Sequence, residues 1–341
     1  MKTTALETKE YNKYQNFFDF KDQLRNRTFL ITGANGLLGK AVIKWLLFAN
    51  EKHNLNLNVI ASTRSPERIP DYIEKNDRIR FVKFAEEDLI EEKIDFIIHL
   101  AAPTEIVYFM SHPVESFRTI VDATERMLDL ATKKGSVLLY LSTKEVYGAA
   151  NEEKPLTEDY VGRINSLNIR NSYPIGKVGA EYLCCAYNYE YKTKTKIVRL
   201  CSIQGLLQPY DEGRVFSQIL RSIIEKKNFI MKSDGMSKKT VIYTLDAVSA
   251  IFTVLFRGEI GEAYNAANPD TYMTINDFIH KLYDRFDNTL KIEYQIEDTA
   301  KTGYMPHLSF TQDVSKLEGL GWKPYTSLTE IYEIDLERFR K

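Results

Sequence analysis

The sequence has little of what marks several large classes of protein. It contains 3 cysteines among 341 residues and begins without the apolar core of a signal peptide. We therefore expect no disulfide framework, and we expect the protein in a reducing compartment, the cytoplasm. The most apolar stretch begins at Ala41, is interrupted by Lys44 and falls far short of the ~20 residues that a membrane span needs. We therefore expect neither a membrane span nor disulfide stapling.

An excess of charge of one sign is also lacking. Lys and Arg number 46 against 47 for Asp and Glu, and no block of like charge stands out, so general nucleic-acid binding is not expected. The 5 histidines have no ligand-like spacing, and no metal is predicted. Apolar residues make up 44% and charged residues 27%, which is typical of a globular protein of one large domain or two intimate ones.

Apolar strands alternate with amphipathic helices over the first 200 residues. Strand patterns lie at 27–32, 57–63, 78–84, 95–102, 136–143 and 195–202, and helical patterns at 40–49 and 114–134. Near-continuous apolar strands joined by helical crossovers are typical of a parallel sheet covered on both faces, so the sequence predicts a doubly wound α/β layer whose last clear strand is 195–202.

The alternation of strands and helices ends at about Gly205, after which short elements and turn signals follow one another. We predict an N-terminal leader at 1–26, a dinucleotide-binding domain at 27–204 and a smaller mixed α/β, substrate-binding C-terminal lobe at 205–341. A helical pattern after Asp246 predicts that residues 240–260 return to the first layer.

Three glycines fall within seven residues between the first strand and the first helix. Gly33 permits a tight turn, Gly36 lets the backbone approach a pyrophosphate, and Gly39 lets helix and strand pack closely. The helix N-terminus adds free N–H groups and a positive dipole end. The predicted dinucleotide-binding turn comprises Gly33, Asn35, Gly36, Leu37, Leu38 and Gly39.

The end of the second strand bears on the choice of dinucleotide. No acidic residue follows it, whereas Ser62 and Arg64 can bind a 2′-phosphate, which favours NADP over NAD. Asp88, followed by Leu89, is placed to accept a hydrogen bond from the adenine amino group. The small residues after the fourth strand leave room for a cofactor ribose beside Leu100, Ala101 and Ala102.

Tyr173 and Lys177 lie four residues apart and share one face of a predicted helix. A free tyrosine has a pKa near 10, and a neighbouring ammonium together with an oxidised nicotinamide favours the phenolate, as a general base requires. The stretch STKEVYG, residues 142–148, ends the fifth strand at the carboxyl edge of the sheet, where open α/β folds bind ligands.

These motifs in register, TGANGLLG, HLAA, STKEVYG, YPIGK and LGWKP, resemble the extended short-chain dehydrogenase/reductases that modify nucleotide sugars, which have a Rossmann-like fold. EDYVGRIN, RNSYPIGKVGAEYLC, DEGRVFSQIL and YTLDAV make UDP-glucuronate decarboxylases the most similar in appearance. The resemblance covers residues 27–341.

The resemblance implies a role for each motif residue. Tyr173 takes the proton from a sugar 4-hydroxyl as hydride leaves C4, Lys177 holds the nicotinamide ribose, and Thr143 bonds to the same sugar oxygen. Glu145 stands where the family keeps the glutamate that acts beside C5. Lys144 replaces the acid that dehydratases use there, which disfavours simple 4,6-dehydration.

Other positions depart from the decarboxylase pattern. Ser202 replaces an expected asparagine, Lys239 an expected arginine, and Ile120 another asparagine, while Arg64 departs from an NAD-type turn. The cations available for a substrate diphosphate are Arg214, Lys232 and Lys239.

The sequence therefore predicts an NAD(P)-dependent enzyme that oxidises C4 of a nucleotide sugar, most similar to UDP-glucuronate decarboxylase. The alternatives are a UDP- or CDP-sugar 4-epimerase or 4-keto reductase, a ketone reductase without nucleotide recognition, or a non-catalytic dinucleotide sensor. The resemblance also implies a homodimer.

Overall fold

The computed structural model of the protein describes residues 3–16, 19–66, 73, 76–296 and 309–339, apart from the side chain of Asp88. No helix in those ranges is long and apolar enough to cross a membrane. The helices are α1 Ala5–Gln15, α2 Lys21–Leu24, α3 Leu37–His53, α4 Ile106–Ser111, α5 Pro113–Lys134, α6 Ser172–Tyr191, α7 Val215–Glu225, α8 Thr244–Arg257, α9 Ile275–Phe286, α10 Ser315–Glu318 and α11 Leu328–Phe339.

The strands form one large sheet and three small pairs within the described residues. The strands are β1 Thr28–Thr32, β2 Asn58–Thr63, β3 Ile79–Lys83, β4 Phe96–His99, β5 Val137–Thr143, β6 Lys194–Leu200, β7 Ser202–Gln204, β8 Phe229–Met231, β9 Lys238–Lys239, β10 Val241–Tyr243, β11 Ala263–Ala266, β12 Met273–Thr274 and β13 Ile292–Tyr294. The large sheet has the order β11-β6-β5-β4-β1-β2-β3, and all of its pairings are parallel. The predicted doubly wound α/β fold is confirmed.

Helices cover both faces of this sheet. On one face α3 and α8 pack over a core that includes Phe29, Trp45 and Phe252. On the other face α5 and α6 pack together over a second core that includes Ile97, Leu138 and Ala180. Each strand between them is therefore buried on two sides, which explains the unbroken apolar runs in the sequence.

One strand of the large sheet lies beyond the point where the sequence pattern ends. β11 pairs with the outer edge of β6, so the prediction that 195–202 is the last strand was wrong. β11 is only four residues long, too short for its pattern to stand out among neighbouring short elements. Helix α8 lies between β10 and β11 and contacts β5 and β6, which places that segment on the first layer.

The sheet order reverses between β1 and β4. β1 pairs with β2 on one side and with β4 on the other, so the loops that follow β1 and β4 diverge around a crevice at the carboxyl edge. The carboxyl end of β5 lies next to β4 on the same edge. The glycine turn and the STKEVYG stretch are thereby brought to one side of the molecule.

Candidate active site

The glycine turn is packed so tightly that a side chain at Gly33 or Gly39 would clash with neighbouring backbone atoms. Gly33 has φ +69°, and a Cβ added there would lie 2.9 Å from the Ala101 amide nitrogen. A Cβ added to Gly39 would overlap the Gly33 carbonyl oxygen and lie 2.8 Å from the Ala34 Cα. Gly36 is the N-cap of α3. The turn thus brings bare backbone to the N-terminus of α3, a cradle that fits the pyrophosphate of a dinucleotide.

A buried threonine holds the two loops of the crevice together. Thr32 Oγ1 accepts hydrogen bonds from the amides of Leu100 and Ala101, both at 3.2 Å, and lies 2.6 Å from His99 Nδ1. Burial lowers the pKa of His99 to about 3, so the ring is neutral and can accept the threonine proton. His99 is therefore a packed strand residue, as the sequence indicated, and it fixes the ledge formed by Leu100, Ala101 and Ala102.

The outcome differs for the predicted 2′-phosphate site. Ser62 is fully buried, and its hydroxyl donates to the carboxylate of Glu87, which also pairs with Arg126 Nη2 at 3.0 Å. Its hydroxyl is thus committed to an internal network and does not face a phosphate, which corrects the interpretation of Ser62. The sequence alone does not indicate this hydrogen bond, because Glu87 reaches Ser62 from a separate loop.

Arg64 is exposed after β2, and its charge acts to lower the pKa of Tyr108 of α4, whose hydroxyl donates to Glu115. On the same side the amide of Asn35 donates to Thr63 Oγ1 at 2.7 Å, tying the glycine turn to β2. Leu89 is 72% exposed, and the side chain of Asp88 lies outside the described part of the chain. Arg64 alone remains as support for a 2′-phosphate.

Tyr173 lies near the N-terminus of α6, against the end of β5. Its ring is 9% exposed and stacks on Phe109, with centroids 5.5 Å apart and planes 14° from parallel. Burial raises the pKa of Tyr173 above its ordinary value, and Glu145 adds to this, while a hydrogen bond with Thr143 and the charge of Arg214 act in the opposite direction. Thr143 and Tyr173 are thus brought together as predicted from the motifs.

Lys177 follows one helical turn later. Its ammonium donates to the Leu141 carbonyl at 2.7 Å and lies 4.7 Å from the Tyr140 ring centroid and 5.9 Å from that of Tyr173. Burial lowers the pKa of Lys177 to about 7. Desolvation is the largest influence on the pKa of Tyr173 in this structure, and the phenolate expected from Lys177 together with an oxidised nicotinamide stays a prediction.

Glu145 lies in a short 3₁₀ helix, Lys144–Tyr147, whose N-cap is Thr143. Its carboxylate accepts from Arg170 Nη1 at 3.2 Å, and this arginine lies 5.9 Å from the Phe109 ring centroid. Sequence reasoning assigned no role to Arg170 or Phe109, although Arg170 comes three residues before Tyr173. The arginine orients the carboxylate and compensates its charge close to Tyr173.

Two lysines lie beside this group. Lys144 contacts the ring of Phe310, with the ammonium 6.0 Å from the centroid. Burial lowers the pKa of Lys239 to about 8, with the charges of Lys144 and Arg170 acting in the same direction and that of Glu145 against them. Lys239 lies on β9, and the charge of Glu145, which follows β5, therefore acts on it across a long separation in sequence.

The remaining predicted substrate residues lie on other elements. Ser202 begins β7 and is half-buried, and Arg214 is the N-cap of α7, where it hydrogen-bonds to Glu212. Lys232 follows β8 and is exposed. Ile120, the departure on α5, is 1% exposed and packs against Gly176 of α6.

A doubly wound sheet with a glycine cradle and a Thr-Tyr-Lys group is the architecture of a dinucleotide-dependent enzyme. The model of the NAD dependent epimerase/dehydratase family matches residues 29–267. The chain belongs to this family, which confirms the resemblance drawn from the motifs.

Individual relatives give the same picture. The chain is 27% identical over 316 residues to UDP-glucuronic acid decarboxylase 6 of Arabidopsis thaliana, covering 92% of this chain and 89% of that protein. It is similar in fold to UDP-glucuronic acid 4-epimerase from Bacillus cereus in complex with NAD, with TM-score 0.73, 20% identity and coverage of 91% and 96%. It is also similar to RMD from Pseudomonas aeruginosa complexed with NADPH, with TM-score 0.71, 19% identity and coverage of 91% and 98%. At these identities the solved structures show the fold alone.

Proposed function

We propose that this protein oxidises C4 of a nucleotide-linked sugar to a 4-keto intermediate. The observation that carries the proposal is the group formed by Thr143, Tyr173 and Glu145 at the carboxyl end of β5, next to the glycine cradle. A nicotinamide dinucleotide, when bound, supplies the hydride acceptor and a positive charge close to Tyr173. A non-catalytic sensor needs no base at that place.

Each residue of this group has its own role in the proposed oxidation. Tyr173 accepts the proton of the sugar 4-hydroxyl, and Thr143 holds that oxygen in place. Lys177 lies on the same helical face and holds the ribose of the dinucleotide once its ammonium leaves the Leu141 carbonyl. Because the resting phenol has a raised pKa, the base must be activated by the charges that surround it when the site is filled.

The reaction that follows oxidation distinguishes the named activities. A 4-ketone makes a C6 carboxylate a β-keto acid, which loses carbon dioxide readily, and the family resemblance supports a role for Glu145 beside C5. The 27% identity to a decarboxylase supports UDP-glucuronate decarboxylation as the leading activity. The substitutions at Ser202 and Lys239 leave 4-epimerisation or 4-keto reduction of another UDP- or CDP-sugar as the second candidate.

We also propose a homodimer formed through α5 and α6. The support is a set of exposed apolar side chains on these two helices, Val114, Phe117, Val178 and Tyr182. Analytical ultracentrifugation measures this directly.

The test is to incubate the protein with a panel of nucleotide sugars and either NAD or NADP, and to follow product mass and nicotinamide absorbance. Loss of carbon dioxide indicates decarboxylation, an isomer of unchanged mass indicates epimerisation, and net cofactor oxidation indicates reduction. We expect Tyr173→Phe to lower kcat by about 10²–10⁴-fold. Tyr189→Phe, on the exposed side of the same helix, is the matched control and should not change kcat. Tight cofactor binding with no turnover of any sugar would refute the proposal in favour of a sensor.

A further inference from the structure

One arginine of β6 is bonded to both of the elements that carry the proposed catalytic residues. Arg199 Nε donates to Glu181 Oε1 at 3.1 Å, and Nη2 donates to Glu181 Oε2 at 2.8 Å. Nη1 donates to the Tyr147 hydroxyl at 3.1 Å and to the Glu158 carbonyl at 2.7 Å. Glu181 belongs to α6, and Tyr147 ends the 3₁₀ helix that follows β5. Arg199 therefore joins this 3₁₀ helix to α6.

On α6 the arginine holds the helical face that carries Tyr173 and Lys177. Glu181 comes four residues after Lys177 and eight after Tyr173, so the three side chains follow one another on one face of the helix. The side chains of Arg199 and Glu181 are 15% and 10% exposed. A shielded, bidentate pair of this kind fixes direction as well as distance, so it restrains the rotation of α6.

In the 3₁₀ helix the arginine holds a residue close to Glu145. Tyr147 comes two residues after Glu145, and its ring is buried. Its hydroxyl accepts from Arg199 and donates to Asn265 Oδ1 of β11 at 2.7 Å. The same Asn265 oxygen accepts from Gln312 Nε2 at 3.0 Å. Hydrogen bonds from two directions therefore fix the end of this short helix.

Side-chain packing leaves a gap beside this connection. Both elements line an open cavity of about 330 Å³. Its walls include Val146 and Tyr147 of the 3₁₀ helix, Ile175 and Val178 of α6, and the pair of Glu181 and Arg199. Because the described side chains leave that space open, the hydrogen bonds of Arg199 link the two elements where packing does not.

We infer that Arg199 is a positioning residue, which keeps Glu145 in place relative to Tyr173 by joining the 3₁₀ helix to α6. This inference rests on the proposed function and adds a residue that acts through its neighbours. A misplacement of about 1 Å between reacting groups can lower a rate about 10²-fold. We therefore expect loss of these bonds to lower kcat about 10²-fold, with the KM of the sugar and the affinity for the dinucleotide unchanged.

Two variants separate positioning from stability. Arg199→Met leaves the buried carboxylate of Glu181 unpaired, so both kcat and the urea midpoint of unfolding should fall. Arg199→Met/Glu181→Leu replaces the ion pair by apolar side chains, an exchange that is often neutral or stabilising, so the urea midpoint should recover. Because the double variant still lacks the link to Tyr147, its kcat should stay about 10²-fold low.

Tyr147→Phe tests the same link in a variant that keeps the ion pair. It should lower kcat, and in the Arg199→Met background it should cause no further loss, because the bond between the two residues is already gone. Arg27→Met is the matched control. It breaks the ion pair of Arg27 with Asp95, 3.1 Å long, at the opposite, amino edge of the sheet, and should leave kcat unchanged. Steady-state kinetics, fluorescence titration with the dinucleotide and urea unfolding supply the measurements.

The outcomes distinguish this inference from the proposed function. A double variant with a low kcat, the wild-type urea midpoint and unchanged dinucleotide affinity supports positioning. Recovery of the wild-type kcat in the double variant, or a wild-type kcat in Tyr147→Phe, means that Arg199 is only structural and overturns the inference while the proposed function stands. If the double variant does not fold, Tyr147→Phe decides alone. A wild-type protein that turns over no nucleotide sugar refutes the proposed function, and the inference with it.

Discussion

At the scale of single residues, the neighbours of each side chain determine what it can do. Ser62 and Thr143 are both small hydroxyl residues at the carboxyl ends of parallel strands. Ser62 is bound by Glu87 inside the protein, whereas Thr143 lies beside Tyr173, the base that we propose. The same chemical group is structural at one strand end and belongs to the proposed active site at another.

Gly39→Ala tests the glycine cradle. The added methyl group would overlap the Gly33 carbonyl oxygen. Because this oxygen belongs to the backbone and cannot rotate away as a side chain can, the turn itself must shift. We expect dinucleotide binding to be lost and the free energy of unfolding to fall by about 1–3 kcal/mol. Fluorescence titration with NAD and NADP and thermal unfolding measure the two effects.

Gly135→Ala is the control for that variant. Gly135 has φ +67° at the end of α5, and a Cβ there meets nothing within 4 Å. Its substitution should cost about 1 kcal/mol of backbone strain and leave dinucleotide affinity unchanged. Equal loss of affinity in both variants would mean that Gly39 acts only through general stability.

At the scale of elements, α6 carries the proposed catalytic residues on one face and packs on α5 with another. Tyr173 and Lys177 lie toward the sheet edge, while Gly176 and Gly179 face α5. The two glycines allow the helices to approach each other, but the space around them differs. A Cβ on Gly179 would lie 3.6 Å from Val121, whereas one on Gly176 would lie 3.1 Å from Ile120.

This difference predicts that the same substitution at the two positions has different effects. Gly179→Ala makes an ordinary contact and removes a helix-interior glycine, so the free energy of unfolding should rise by about 0.5–1 kcal/mol. Gly176→Ala forces the buried Ile120 to move, which offsets that gain and shifts Tyr173 and Lys177. We expect lower stability than for Gly179→Ala together with reduced kcat, measured by chemical unfolding and steady-state kinetics. A more stable and fully active Gly176→Ala protein would contradict this account.

At the scale of the whole molecule, the two ends of the chain meet. Helix α1 begins with a capping box at Thr4 and Glu7 and packs against α8 and α11. Tyr14 donates to Asp246 at 2.7 Å, and the same carboxylate accepts from the amides of Tyr325 and Thr326. The leader therefore helps to fix α8, which lies between β10 and the sheet.

Tyr14→Phe tests this contact through its dependence on pH. Burial raises the pKa of Asp246 to about 7, while the hydrogen bond from Tyr14 acts in the opposite direction. Because the folded pKa lies above the unfolded one, the contribution of Asp246 to stability is full below about pH 4 and is lost as the pH rises through about 7. The hydroxyl matters most where the carboxylate is ionised. We expect Tyr14→Phe to cost about 1 kcal/mol at pH 5 and about 2–3 kcal/mol at pH 8, measured by urea unfolding.

The control lies on the same helix. Tyr11 is fully buried, and its hydroxyl has no hydrogen-bond partner among the described residues, so Tyr11→Phe should have little effect at either pH. The same penalty at pH 5 and pH 8 for Tyr14→Phe would show that the charge of Asp246 is not involved.

The sequence by itself determined the layered α/β fold, the glycine cradle and the pairing of Tyr173 with Lys177. These follow from short-range rules, since strand and helix periods, the glycine turn and an i, i+4 spacing are all contained in a few consecutive residues. Only the tertiary structure decided that Glu145 is held by Arg170 and that Ser62 is bound by Glu87. It also placed β11 at the edge of the sheet and Tyr14 on Asp246. Such contacts join segments that are distant along the chain, and the local pattern of either segment carries no record of its partner.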